Sequence, residues 1–85
     1  MCMTEYIKER AQEMADAAQA NIAILDELIT HVLCAQTAAE ALPRNGALIA
    51  FLLSIQADLI NRKASCTHVI AETLAIQRET KEVTA

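Results

Sequence analysis

Apolar residues recur along the first half of the chain at alternating spacings of four and three: Ile7, Ala11, Met14, Ala18, Leu25, Leu28, Val32, Ala35 and Ala39, with Asn21 as the one polar residue in register. That is the rhythm of a helix seam. A second row, Ala15, Ile22 and Ile29, widens it to the stripe of a bundle helix. Thr4 is a suitable N-cap, and Glu5 suits the positive end of the helix dipole. No breaker follows until residue 41, so the pattern predicts a helix over about 4–40, about 54 Å long at about 1.5 Å per residue. Its character changes on the way: residues 11–23 are rich in Ala, whereas Ile22 to Leu33 is bulky.

Ala41-Leu42-Pro43-Arg44-Asn45-Gly46 is the one cluster of turn residues and places the turn at 41–46. Two starts for the next helix fit. Pro43 suits a first helical turn, where its missing N–H costs nothing, and Asn45 suits a cap one or two residues later. The second helix then runs over about 46–82. Leu48, Leu52, Ile55, Leu59, Cys66, Val69, Thr73 and Ile76 form one row on it, and Ile49, Leu53, Gln56, Ile60, Lys63, Ile70, Leu74 and Gln77 form another. Between Ala47 and Ile60 large apolar groups fall nearly all round, with Phe51 outside both rows. One neighbouring helix covers one stripe, so such a helix needs more than one neighbour. The expected fold is all-α: a single domain, an antiparallel two-helix hairpin that pairs into a homodimeric four-helix bundle. Phe51, Leu48, Leu52, Ile55, Leu59, Ile22, Leu25 and Ile29 are the expected partner or dimer interface. Asn21 and Cys66, polar or small groups at mid-seam, are the candidates for fixing register. Pairing the bulky half of one hairpin with the Ala-rich half of another evens the packing, which predicts an antiparallel dimer with Asn21 and Cys66 near the dyad.

Pro43-Arg44-Asn45, followed by Leu48, Ala50 and Gln56 and then Asn61-Arg62-Lys63-Ala64, resembles the second helix of small uncharacterised bacterial helical-hairpin proteins. The resemblance spans about 20 residues and implies a hairpin with no assigned activity. In architecture the chain is also similar to the Rop-type dimeric hairpin, without the basic surface that RNA binding needs.

Composition narrows the function. Hydrophobic residues make up 54% of the 85, aromatics 2%, and Gly and Pro occur once each, a composition of strong helix formers. The net charge is −4, with seven Lys and Arg spread thinly, which argues against a nucleic-acid surface. Three Cys at wide spacing are not a disulfide framework and read as reduced thiols. The start of the chain is quickly charged, and the apolar stretch from Ala47 to Ile55 is too short for a membrane span, so a cytoplasmic protein is expected.

Candidate chemistry does not survive its geometry. His31-x-x-Cys34 and Cys66-x-His68 carry zinc-type ligands. In a hairpin turning near residue 43, residue i faces about residue 87 minus i, which leaves the two pairs about 15 Å apart along the helices. No metal or other cofactor is expected. Glu5, Glu9, Glu13 and Asp16 share a strip of one helix, the ordinary pattern of a solvated face, and with one Gly the chain has no phosphate loop. The reading is a small acidic protein without catalytic activity that binds another protein, as a regulator or adaptor, and itself as a homodimer. The alternatives are a subunit or chaperone of a larger assembly and, less favoured, a Rop-like RNA-binding regulator.

Overall fold

A computed structural model describes the backbone of residues 3–84 and the side chains of residues 3–79. Two helices, α1 (Met3–Ala39) and α2 (Gly46–Thr84), pack side by side as a hairpin within an envelope of 64 × 14 × 14 Å. Three side-chain contacts fix the antiparallel register. Gln36 meets Gln56 near the turn, Asp26 pairs with Lys63 midway, and Gln77 donates to Gln12 toward the open end. The residue numbers in the last two pairs sum to two more than the expected 87, and those of Gln36 and Gln56 to five more. His31 therefore does not face Gln56; Gln36 does.

The turn is built around Asn45. Its backbone carbonyl accepts the first hydrogen bond of α2, from Ile49 N at 2.9 Å. Its side-chain amide reaches the other way and donates to the carbonyls of Ala39 (3.1 Å) and Glu40 (3.4 Å), two of the groups that the end of α1 leaves unpaired. Ala41 and Leu42 tighten the same end through bonds to Ala38 and Ala39. Of the two starts open to α2, the structure takes Asn45 as the cap. The left-handed residue is Arg44, with φ 55°, and not Gly46. An L side chain there costs about 1–2 kcal/mol, held by the bonds on either side.

A test separates the two roles of Asn45. Asn45→Ala is expected to lower stability by about 1 kcal/mol, the usual worth of a cap. Asn45→Asp, normally an equally good N-cap, should do the same, because a carboxylate has nothing to donate to the carbonyls of α1. Urea denaturation of both variants checks this; an unchanged Asn45→Asp midpoint would show that only the start of α2 matters.

The line of least exposure on α1 runs through Thr4, Lys8, Ala11, Ala15, Ala18, Ile22, Leu25, Ile29, Val32, Gln36 and Ala39. Its spacing alternates four and three throughout, as a seam must. The matching line on α2 is Asn45, Ile49, Leu52, Gln56, Leu59, Lys63, Cys66, Ile70, Thr73 and Gln77. Both differ from the expected rows. On α1 the seam is rotated toward the second row: Ala15, Ile22 and Ile29 are in it, while Ile7, Met14, Asn21 and Leu28 are exposed beside it. On α2 the seam draws from both rows, four of eight residues from the first and five of eight from the second, and the remaining members lie beside it.

The consequence for packing is large. The buried side chains among the described residues are Ala11, Ala18, Ala39 and Thr73. Ile22, Leu25, Ile29, Leu52, Ile55 and Leu59 are only half-buried. Ala side chains let the helices approach closely but each removes little apolar surface from water, and burial scales with that area.

Candidate interaction face

The two flanks of the hairpin differ. On one, α1 carries Glu5, Gln12, Gln19, Asp26 and Leu33 next to the seam, and two polar links cross to α2, Asp26–Lys63 and Gln77–Gln12. On the other, α1 presents Ile7, Met14, Asn21, Leu28 and Ala35, and α2 presents Leu48, Ile55, Arg62, Val69 and Ile76. Ile7, Met14, Leu28, Leu48 and Ile76 are exposed there, and Ile55 and Val69 half-buried. Phe51 (61% exposed) and Ile24 (56%) edge the same flank.

A groove lies between the helices at the middle of this flank. One section, about 370 Å³, is lined by Asn21, Ile24, Leu25, Arg62, Ser65 and Cys66. The next, about 280 Å³, extends it along Met14, Ala17, Ala18 and Val69. The groove exists because Ala17, Ala18, Ser65 and Cys66 are short, so the flanking Met14, Ile24 and Val69 stand above its floor. The sequence pairs Asn21 with Cys66, and both line the groove. Asn21, however, stands outside the seam that joins the two helices and so does not set the register of the hairpin, whereas Cys66 is half-buried within it.

Gln36 and Gln56 occupy seam positions and bond to each other at 2.7 Å in partly buried surroundings. Gln56 stands in a row read from the sequence; Gln36 does not. Its seam position, three residues before Ala39 and seven after Ile29, is the signal that reveals it. A bonded polar pair within the seam favours one register over its neighbours. Removing one amide leaves the other partly buried without its partner. Gln36→Leu and Gln56→Leu are each expected to cost about 1 kcal/mol, and the double variant less than either. A double-mutant cycle by thermal denaturation measures the coupling, and additive effects would contradict it.

Comparison with family models, curated proteins and solved structures gives no match. The partial resemblance of α2 to small helical-hairpin proteins thus gains no support beyond its rhythm.

The remaining candidate chemistry is distributed over the surface. Among the described residues, no three of His, Cys, Asp and Glu come together as metal ligands would. His68 pairs with Glu72 at 2.8 Å and Asp58 with Arg62 at 2.9 Å, both one helical turn apart and exposed. Glu5, Glu9, Glu13 and Asp16 are all exposed; Arg10 engages Glu13 and Gln12 engages Asp16. By length and composition α1 is able to cross a membrane, with an 18-residue window of mean hydropathy 1.3. Every window of that length in α1 with no more than two charged residues contains Asp26 and Glu27, and Asp26 is paired with Lys63 of α2.

Proposed function

We propose that the chain is a non-catalytic protein-interaction module, a regulator or adaptor, that works as a homodimer of hairpins in the form of a four-helix bundle. The observation that carries this reading is the absence of any large buried apolar side chain among the described residues. The chain exposes 6227 Å² of surface. A compact folded monomer of its 9.3 kDa exposes about 5,000 Å². The excess of about 1,200 Å² per chain corresponds to about 2,400 Å² per pair, within the range of obligate dimers. Burial of that size is what an obligate interface provides, and exposed large apolar side chains in such number are what an isolated soluble chain avoids.

A cytoplasmic, soluble protein is the accompanying reading. Two adjacent carboxylates within every candidate span of α1 make a crossing costly. Once the grooved flank is occupied, Leu53, Ile60 and Leu74 on the opposite side of α2 remain exposed. A target protein would dock there, helix against groove. Sedimentation equilibrium at micromolar concentration tests the dimer: twice the chain mass is expected, and a stable folded monomer would overturn the reading.

A further inference from the structure

Resting on the homodimer reading, we infer that the second copy covers the grooved flank with its turn at the opposite end, so that α1 packs on α1 about a two-fold axis at Asn21. The surface that one chain leaves uncovered, set against what an obligate dimer buries, selects a second copy as occupant. The flank follows from what each side already holds. The Asp26–Lys63 and Gln77–Gln12 links cross the opposite flank, whereas the grooved one presents large aliphatics beside an open groove.

Within that flank α1 is the apolar side. Met14, Ala17, Asn21, Ile24 and Leu28 follow one another at spacings of three and four, and all are exposed in the hairpin. That is a second seam on the same helix, beside the one that meets α2. The corresponding line on α2 runs Ile55, Asp58, Arg62, Ser65, Val69 and Glu72. Its charged members are engaged along their own helix, Asp58 with Arg62 and Glu72 with His68, with side chains at least 62% exposed. Such pairs suit the solvated rim of an interface, and the apolar line of α1 takes its centre.

The line on α1 reads alike in both directions from Asn21. Met14 and Leu28 stand seven residues to either side, and a two-fold axis at Asn21 brings each onto the other of the second copy. Ile24 then comes over Ala17 and Ala18, so a bulky side chain from each copy enters the other's groove above its short floor. Asn21 meets itself. Its side-chain amide has no hydrogen-bond partner among the described residues, and across the axis each copy can donate to the other's carbonyl oxygen.

The groove is centred on the same point. The hairpin's register sets residue i beside about 89 minus i, which puts Val69 level with Asn21 and Arg62 level with Leu28. The groove therefore extends from Met14 to the level of Leu28, with Asn21 at its midpoint. Turns at the same end would set α1 against α2 at equal levels. Asn21 would then lie on Val69 and Leu28 on Arg62, leaving the amide against methyl groups without a partner. The bulky and Ala-rich halves that suggest reversed copies from sequence lie in the seam inside each hairpin; the reversal rests instead on the outer line of α1.

A charge exchange at the axis tests this on the full chain. Asn21→Asp and Asn21→Lys are each expected to raise the dimer dissociation constant at least about tenfold, because each sets like charges against each other. An equal mixture of the two should recover most of that loss in sedimentation, with one Asp facing one Lys. A mixture no tighter than either variant alone, or variants as tight as the native chain, would overturn the axis at Asn21. An isotope-filtered NOE measurement on an equal mixture of labelled and unlabelled native chain supplies the second arm. Contacts between copies are expected for Met14 with Leu28 and for Ile24 with Ala17. Contacts of Met14 with Ile76 and of Asn21 with Val69 between copies would overturn the orientation and leave the dimer in place. Contacts confined to other lines would overturn the choice of flank, and a monomer in sedimentation of the native chain would overturn both this inference and the homodimer reading.

Discussion

Leu28→Asp is expected to raise the dimer dissociation constant more than about a hundredfold and to leave the chain largely unfolded at micromolar concentration, since desolvating an unpaired carboxylate costs several kcal/mol. The contacts of a single chain predict otherwise. Leu28 is 43% exposed, and a substitution at such a position in a self-sufficient monomer shifts stability by no more than about 0.5 kcal/mol. Leu33 supplies the matched control. It lies five residues on and is 44% exposed, but it faces the flank crossed by the Asp26–Lys63 and Gln12–Gln77 links. Leu33→Asp should cost less than about 1 kcal/mol and leave the dimer intact. Circular dichroism melts at two protein concentrations, with sedimentation, compare the pair. Equal, small effects of the two substitutions would mean that the grooved flank meets only water.

Ala18→Leu should destabilise the folded protein by about 1–3 kcal/mol, the usual consequence of forcing a large side chain into a closely packed site. Ala18 is 6% exposed, and with Ala11 it is among the few buried side chains of the seam. A leucine there must part α1 from α2 or fill the groove from beneath, and Ala18 forms part of the groove lining beside Met14 and Val69. Both outcomes disturb the flank that the second copy would use, so the loss should grow as the protein is diluted. Thermal melts across a hundredfold concentration range measure it. A raised melting temperature at every concentration would show that the helices separate freely and that the Ala residues are not holding a close approach.

Neither variant depends on charge pairs at the surface. Lys63–Asp26 joins the two helices, but both side chains are about half exposed (41% and 52%), and pairs of that kind contribute at most about 1 kcal/mol. Close Ala packing, the Gln36–Gln56 bond and the Asn45 caps define the hairpin. None of them supplies the apolar burial that a domain of this size needs.

Two long helices, the turn between them and the surplus of apolar surface on the second were legible in the residues themselves. Strong helix formers without a breaker make the helices, and Pro43, Asn45 and Gly46 end the run, because those choices are local to the backbone. The four-and-three spacing was legible too, but not which residues in it face the partner helix. The row of Ile7, Met14, Asn21 and Leu28 lies next to that of Ala15, Ile22 and Ile29 on a broad stripe, and either neighbour of the Ala11–Ala18–Leu25 line satisfies the same period. The choice is made between helices. The turn at Arg44 and Asn45 joins the helices, and the Gln36–Gln56 bond crosses the seam next to it. In the packed hairpin Ile22 and Ile29 lie in the seam and Met14 and Leu28 on the open flank. Periodicity determined that this protein has an apolar side beyond its own hairpin. Only the tertiary structure decided which side that is, because rotation about a helix axis is fixed by what the helix packs against.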